Sequence, residues 1–378
     1  MGNNYRIVEV TNQKLLNQWI QFPYDFYLKE LKDPNYIPQI KIDEKSFFDA
    51  KKNPAFKIAK VKFFLAYAEQ IVVGRICAII HLLEEKKLGR RRGRFGWIEF
   101  IDNEEISSLL LGAARSWLVA EGAIEMTGPH GFTDLDPEGL LIDGFNELPT
   151  VSGSYNLPYY QRHFEKFGLV KDADYVEYRV NFPANDPFLE KMVALLERDS
   201  EYKLITLRNR KELMSRTDAL WDLLEESFKH LYGVTPLSLE QQKFYTQKYL
   251  SFLDLEFVKM VEDKKGKLIG FFIGMPNVSN SFKRAGGNLL PFGLFHILRE
   301  FKNSKGVDFL LAGVHPEHPK KKIFLYLVAA MYRSCRDRGI KFLETNRELV
   351  ENKTVSGMWT RFDSRLHRKT RIFKLPLE

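Results

Sequence analysis

The densest gathering of side chains able to move a proton lies in GPHGFTDLDPEGLLIDGF, Gly128–Phe145, which supplies His130, Asp134, Asp136, Glu138 and Asp143. An imidazole and carboxylates in one loop can recognise an amine and take its proton, and His130 or Glu138 is the candidate base. The same residue types also build turns, with Asp side chains capping backbone N–H groups. Both readings stay open. The ligand spacing and closing Glu of a helix–loop–helix calcium site are missing. Glu99, in the strand GRFGWIEFID, adds a further candidate carboxylate. YNLPYY, Tyr155–Tyr160, places Tyr159 and Tyr160 where a phenol could protonate a leaving group or wall an acyl chain. Packed rings with hydrogen-bonded hydroxyls are the plainer alternative.

A second stretch, GVHPEHPKKKIFLYL from Gly313, reads as a strand end, a loop and a helix start. His315 and His318 have a spacing that could begin a metal site on a helix. Pro316 and Pro319 argue for a loop instead, no third ligand is near, and no metal is expected. Lys320, Lys321 and Lys322 open the helix, where a cation is disfavoured by about 0.3–1 kcal/mol. A bound phosphate would reverse that penalty. Otherwise they are solvated lysines behind a proline that suits the first helical turn. KKLGRRRGR, Lys86–Arg94, has six cations in nine residues and reads as a hairpin tip. It could touch an anionic membrane or nucleic acid. Only Phe95 and Trp97 follow closely and no recognition-helix pattern appears, so nucleic acid is disfavoured and a solvated turn is the alternative. No nucleophile elbow, Walker loop or dinucleotide fingerprint is present.

These residues sit on a pattern stated twice. FFLAYAEQIVVGRICAII reads as a hairpin with Gly74 in its second strand, and EFVKMVEDKKGKLIGFFIGM matches it with Gly270. GRFGWIEFID then leads to a helix whose stripe is Ile106, Leu109, Leu110, Ala113, Trp117 and Leu118, ended by Gly122, before the strand IEMTG. The second copy runs VDFLLAGV, a helix with Ile323, Tyr326, Leu327, Ala330 and Met331 on one face, Gly339, then IKFLET. GGNLLPFGLFHILREFKN fits as an insertion of a loop and a helix. Helical segments precede each hairpin, so each half is a mixed α/β unit with helices covering a sheet. The expected divisions are residues 1–183, a proline-bearing linker over 184–200, and 201–378.

The totals set bounds. The chain has 378 residues and 44% apolar content, enough for two domains. A net charge of +8 favours phosphate-bearing ligands, nucleic acid or an anionic membrane without choosing among them. Two cysteines, Cys77 and Cys335, make no disulfide framework and fit a reducing cytoplasm. The first residues lack an apolar signal core. Gly2 invites N-myristoylation, but Arg6 stands where Ser or Thr is wanted. No apolar run approaches the roughly 18–20 residues that span a bilayer.

Read together, these words resemble the tandem members of the Gcn5-related N-acetyltransferase (GNAT) superfamily, and within it the bacterial double-GNAT group that includes bacterial ceramide synthase. The resemblance covers nearly the whole chain. It is carried by KKNPAF with VGRICAI, GPHGFTDLDPEGLLIDGF, YNLPYYQRHFEKFGLVKDADYVEY, GGNLLPFG, GVHPEH and KTRIFKLPL. It implies an α/β mixed-sheet fold in two GNAT-like copies and acyl transfer from acyl-CoA or acetyl-CoA to an amine. It also implies a splayed strand beside the thioester, backbone N–H groups holding the pyrophosphate, and a tyrosine for the leaving thiolate.

The family's phosphate loop carries glycines where this chain has Pro319, Lys320, Lys321, Lys322, Ile323 and Phe324. The first copy has the acidic IDNEEISSLL there, and the late tyrosine is replaced by Thr370–Phe373. By this resemblance Gly313 and Val314 lie at the splayed strand and Lys320–Lys322 near phosphate. Glu99, His130, Glu138, Tyr159 and Tyr160 fall to the amine side. The acceptor is expected to be a small or lipid-like amine, met in the cytoplasm or at the inner membrane face. The alternative is a catalytically silent relative that binds a ligand or partner.

Overall fold

The computed structural model describes residues 4–351, 357, 359 and 361–377. Gly2 lies outside them. The chain forms two compact units: Met1–Val176 with Ser279–Leu298 and His367–Glu378, and Glu177–Val278 with Arg299–Leu366. The units therefore do not follow one another strictly along the chain.

The strands begin with β1 (Tyr5–Glu9), β2 (Ala59–Ala68), β3 (Ile71–His81), β4 (Arg92–Phe100), β5 (Glu125–Gly128), β6 (Leu140–Asp143) and β7 (Val170–Asn181). They continue with β8 (Tyr202–Ile205), β9 (Val258–Asp263), β10 (Leu268–Pro276), β11 (Gly306–Val314), β12 (Phe342–Thr345), β13 (Glu348–Leu349) and β14 (Asp363–Pro376). In the first unit β1, β2, β3 and β4 pair antiparallel in turn, β5 joins β4 parallel, and the C-terminal strand β14 closes antiparallel on β5. In the second unit β8, β9, β10 and β11 repeat the antiparallel run, β12 joins β11 parallel, and Arg179–Asn181 of β7 closes antiparallel on β12. The repeat seen in the sequence is thus a repeat of strand senses. A parallel neighbour needs a crossover helix, and in both units that helix carries the core.

The first crossover helix, Glu104–Ala120, buries Ile106, Ser107, Leu110, Leu111, Ala114 and Leu118. The expected stripe is displaced slightly, leaving Leu109, Ala113 and Trp117 half-buried. The second, Lys320–Asp337, buries ten residues from Ile323 to Cys335 and is enclosed on most of its surface. Gly74 and Gly270 explain how closely both helices lie. A Cβ on Gly74 would sit 2.7 Å from Leu110 Cδ1, and one on Gly270 would sit 2.7 Å from Ile323 Cγ2. Each glycine is the seat for a helix side chain, so the matching positions share one packing reason. Gly122 and Gly339 end the two helices with φ of +79° and +66°, the left-handed cap that glycine adopts without strain.

Two stretches differ from expectation. Residues 184–200 hold a helix, Pro187–Glu197, capped by the Asp186 side chain and burying Leu189, Val193 and Leu196. Its proline occupies the first turn, where the missing N–H costs nothing. Lys86–Arg94 is not a hairpin tip. Lys86 and Lys87 lie in the last turn of the helix Leu82–Leu88, Gly89 stops it, and Arg92 and Arg94 belong to β4.

Candidate functional site

Both units contain the same fork. In the second, β11 and β12 pair from Gly306↔Phe342 to Phe309↔Thr345. The Asn346 N–H then donates to the Phe309 carbonyl at 3.0 Å, and the Asn346 side-chain amide reaches the Leu310 carbonyl at 3.2 Å. Beyond that point, among the described residues, β11 pairs with β10 alone, after a one-residue slip between Ile273↔Leu311 and Gly274↔Phe309. In the first unit the His130 N–H donates to the Phe95 carbonyl at 2.8 Å. There β4 slips by one residue against β3 between Cys77↔Gly96 and Arg75↔Glu99, with Trp97 at φ +43°. A bulge of this kind bends the strand and turns its groups outward.

The two forks end differently. In the first, the backbone of Phe100, at the tip of β4, is taken. Its N–H donates to the Tyr160 hydroxyl at 2.9 Å, and its carbonyl accepts from the hydroxyls of Tyr159 and Tyr160. Tyr160 is fully buried, its ring 4.2 Å from that of Phe100, and its hydroxyl also meets that of Tyr27 at 3.3 Å. Burial pushes the Tyr159 and Tyr160 phenols well above their ordinary range. The helix that follows is capped by Asn103, which accepts the Ile106 N–H at 3.1 Å. Asp102 holds His163 Nε2 at 2.8 Å, and Ser107 holds the other ring nitrogen at 2.8 Å. The chain's own side chains thus fill this strand end and helix start. Replacing Tyr160 by Phe strands the Phe100 N–H in the core. A urea melt is expected to lose about 1–3 kcal/mol, and Tyr159→Phe less, because the carbonyl it serves has a second donor in Tyr160.

In the second fork, among the described residues, no side chain caps the helix start. Gly313 and Val314 are buried at the end of β11. A Cβ at Gly313 would meet Phe271 Cε1 at 2.7 Å and Ser227 Oγ at 2.9 Å, and that Ser227 hydroxyl is buried without a hydrogen-bond partner. Pro319 stands at the cap of the Lys320–Asp337 helix and offers no side-chain acceptor. Lys320 and Lys321 are exposed. Lys322 is committed elsewhere: its Nζ lies 2.8 Å from Asp199 Oδ2 and 4.8 Å from the Tyr202 ring, and the hydrogen bond to Asp199 raises its pKa. His315 spends its ring on the turn, Nδ1 accepting the Glu317 N–H at 3.3 Å and Nε2 lying 3.2 Å from Lys267 Nζ. Among the described residues no group of three potential metal ligands gathers.

The remaining candidates are placed as follows. Glu99 is bound to buried Arg75 by both oxygens, and Arg75 also donates to the Trp19 carbonyl at 3.0 Å. His130 and Glu138 come together in the core, Nδ1 and Oε1 being 3.5 Å apart, and Glu138 accepts from the Tyr175 hydroxyl at 2.7 Å. Asp136 and Asp143 act as turn caps, accepting the N–H groups of Thr133 and Gly144. His130, Asp136 and Glu138 are therefore buried in a polar network while Asp143 stays exposed, and Tyr159, Tyr160 and Glu99 lie apart from it in their own bonds.

The sequence reading passed over a second set of acids. Asp308, Glu344 and Glu177 are all buried in the second unit; Asn277 Nδ2 donates to Asp308 Oδ1 at 2.6 Å, and Arg179 Nη1 to Glu344 Oε1 at 2.9 Å. Burial, reinforced by Glu344, pushes the Asp308 carboxyl well above its ordinary range. Glu348, three residues past the parting of β11 and β12, accepts from Trp359 Nε1 at 2.7 Å through Oε1, while Oε2 has no partner. Burial pushes its carboxyl up to about 8. An acid in the apolar strand VDFLLAGV was the one signal in the sequence for this group.

No protein-family model matches the chain. It is similar to Protein YghO of Escherichia coli (strain K12), 27% identical over 96% of this chain and 93% of that one. It is also similar to Bacterial ceramide synthase of Caulobacter vibrioides, 26% identical over 92% of this chain and 91% of that one. Among solved structures, a tandem GNAT protein from the clavulanic acid biosynthesis pathway superposes with a TM-score of 0.58 at 11% identity, covering 99% of both chains. The GCN5-related glucosamine N-acetyltransferase region of a fungal multi-domain GH3 β-N-acetylglucosaminidase superposes with a TM-score of 0.60 at 13% identity; this chain spans 38% of that enzyme. Both superpositions span 99% of this chain, and the fold of this chain is the tandem GNAT fold.

Proposed function

We propose that the chain is an acyl-CoA-dependent N-acyltransferase in which only the second unit holds the thioester. The observation that carries this reading is the difference between the forks: the Phe100 backbone is taken by Tyr159 and Tyr160, whereas the Lys320–Asp337 helix opens without a side-chain cap. An uncapped helix start with exposed Lys320 and Lys321 suits a pyrophosphate, and the unpaired edge of β11 from Leu311 to Val314 suits the pantetheine amides. Lys322, bound to Asp199, holds the helix start in place.

In the reaction the amine nitrogen attacks the thioester carbonyl carbon, the C–N bond forms as the C–S bond breaks, and coenzyme A leaves as a thiolate that takes up the proton the amine has lost. We assign the amine proton to Glu348, because its carboxyl lies past the fork and is pushed by burial up to about 8, near the pH at which a general base works best. Similarity to a protein named Bacterial ceramide synthase supports a long-chain, lipid-like amine as acceptor. No helix among the described residues is long and apolar enough to cross a membrane.

Calorimetry tests the reading. Saturable binding of a long-chain acyl-CoA, one per chain, is the expected result. In Lys320→Glu/Lys321→Glu each reversal removes one attraction and adds one repulsion of about 0.3–1 kcal/mol, so affinity falls about tenfold or more. Absence of binding to any acyl-CoA would overturn the proposal. The second reading, a silent relative that binds another ligand or a partner, is favoured by the glycine-free loop around Pro319 and predicts no binding of any acyl-CoA.

A further inference from the structure

The four arginines of the basic run first marked for membrane contact are held in ion pairs. Arg91 pairs with Glu85, Arg90 and Arg92 with Glu125, and buried Arg94 with Glu84. A different surface carries unspent apolar area. Leu290, Phe292, Leu294, Phe295 and Leu298 are 79%, 67%, 46%, 61% and 56% exposed, five large apolar side chains within nine residues. The last three lie on the helix Gly293–Asn303. At helical spacing Leu294, Phe295 and Leu298 share a face with Arg299 and Lys302, both exposed. From Lys283 to Lys305 the chain has five cations and a single acid, Glu300.

The loop before this helix is fixed. The Gly287 carbonyl accepts the Lys41 N–H at 2.9 Å, a Cβ on Gly287 would strike the Tyr24 ring, and the Leu294 N–H donates to the Leu289 carbonyl at 2.8 Å. The apolar side chains are therefore presented by a rigid base and not by a floppy tail. A stable protein interface takes roughly 20–30 residues a side, and this strip offers five apolar side chains backed by cations. Apolar side chains at the tip with Arg and Lys one turn behind match the depth profile of a bilayer interface with anionic headgroups.

We propose that Leu290–Lys302 is a membrane-docking element that inserts its leucines and phenylalanines into the interface of an anionic bilayer while Arg299 and Lys302 bind the headgroups. The proposal stands apart from acyl transfer, because docking is measured without any acyl-CoA.

Sedimentation with vesicles of equal phosphatidylglycerol and phosphatidylcholine tests it. Wild-type protein is expected to pellet with these vesicles, and to remain in the supernatant with pure phosphatidylcholine or in high salt. Arg299→Gln/Lys302→Gln weakens partitioning about thirtyfold, at roughly 1 kcal/mol per cation. Phe292→Asp/Phe295→Asp lowers it at least tenfold, and both variants keep the wild-type circular dichroism because the residues are exposed. Arg90→Gln/Arg91→Gln partitions like wild type. Equal partitioning of wild type and both test variants would overturn the proposal. So would a wild-type dimer that ignores vesicles and becomes monomeric in Phe292→Asp/Phe295→Asp, which would make the strip a self-interface.

Discussion

Arg94→Met is expected to lower the urea midpoint of the first unit by about 1–2 M. Arg94 is 1% exposed and donates to Glu84 Oε2 at 2.7 Å and to the Gly131 carbonyl at 3.3 Å. Burial raises the Glu84 pKa, and Arg94 outweighs it, so the carboxyl stays ionised below its ordinary range. Without Arg94, the nearest cation is Arg92, 3.9 Å from Glu84. Breaking a buried pair in this way costs about 3–5 kcal/mol, far more than removing both charges, and a urea slope of about 3 kcal/mol per molar, the upper end of the usual range as suits a unit of this size, converts that into the midpoint shift. The paired variant Arg94→Met/Glu84→Gln should recover much of the loss. In Arg94→Met the lone Glu84 carboxyl prefers its neutral form, so the deficit grows as pH rises. A deficit that stays below 1 kcal/mol, or that the second substitution does not relieve, would contradict this account.

That pair shows where sequence reading stops. Arg94 stood in a conspicuous basic run and invited a surface role. Its partner Glu84 lies ten residues away across a helix, Gly89 and a strand entry, and nothing in local composition says that the two are buried together. The fold was more legible. Gly74 and Gly270 recur because each seats a crossover helix, and the patterns around them repeat because the strand senses repeat. What local periodicity could not give was the destination of KTRIFKLPL. A strand's alternation says which face is buried and nothing about which sheet it joins, and β14 closes on β5 through Phe373↔Gly128 and its neighbours. The helix Pro187–Glu197 was hidden for a local reason. Its proline reads as a breaker until Asp186 is recognised as the cap before it.

The candidate site was legible as residue types and not as roles. Tyr159 and Tyr160 drew notice as phenols; their work is to satisfy the Phe100 backbone, 59 and 60 residues upstream. His130 and Glu138 stand in one loop and do meet, but in the core beside Tyr175. Asp308 was visible as a polar interruption in an apolar strand. Its neighbours Glu344 and Glu177 come from distant strands, and only the tertiary fold makes them a group.

Glu348→Gln is expected to separate chemistry from stability more sharply than any other change. Gln keeps an oxygen to accept from Trp359 Nε1, the 2.7 Å bond made by Oε1, and mimics the neutral acid. Burial pushes the folded carboxyl up to about 8 from an ordinary value of 4.5. A carboxyl raised by folding binds more protons in the folded than in the unfolded chain between those limits, so stability falls as pH climbs from about 4.5 to about 8. At 1.36 kcal/mol per unit the loss is on the order of 5 kcal/mol. Wild type and Glu348→Gln should therefore unfold alike near pH 4.5, and the variant should be the more stable at pH 8.5.

His81 sets the opposite slope at low pH. Burial and Arg94 lower its pKa to about 3, so the unfolded chain binds the extra proton below about 6.5 and stability drops on acidification in both proteins. Acyl transfer should move the other way from stability. Loss of the base is expected to lower kcat by about 10²–10⁴ and to leave acyl-CoA affinity unchanged. A variant that is stabilised at alkaline pH yet fully active would keep the burial account of Glu348 and remove it from the reaction. A variant whose stability tracks wild type at every pH would show that the Glu348 carboxyl is already ionised in the folded chain, and the assignment of the amine proton to it would fall with that result.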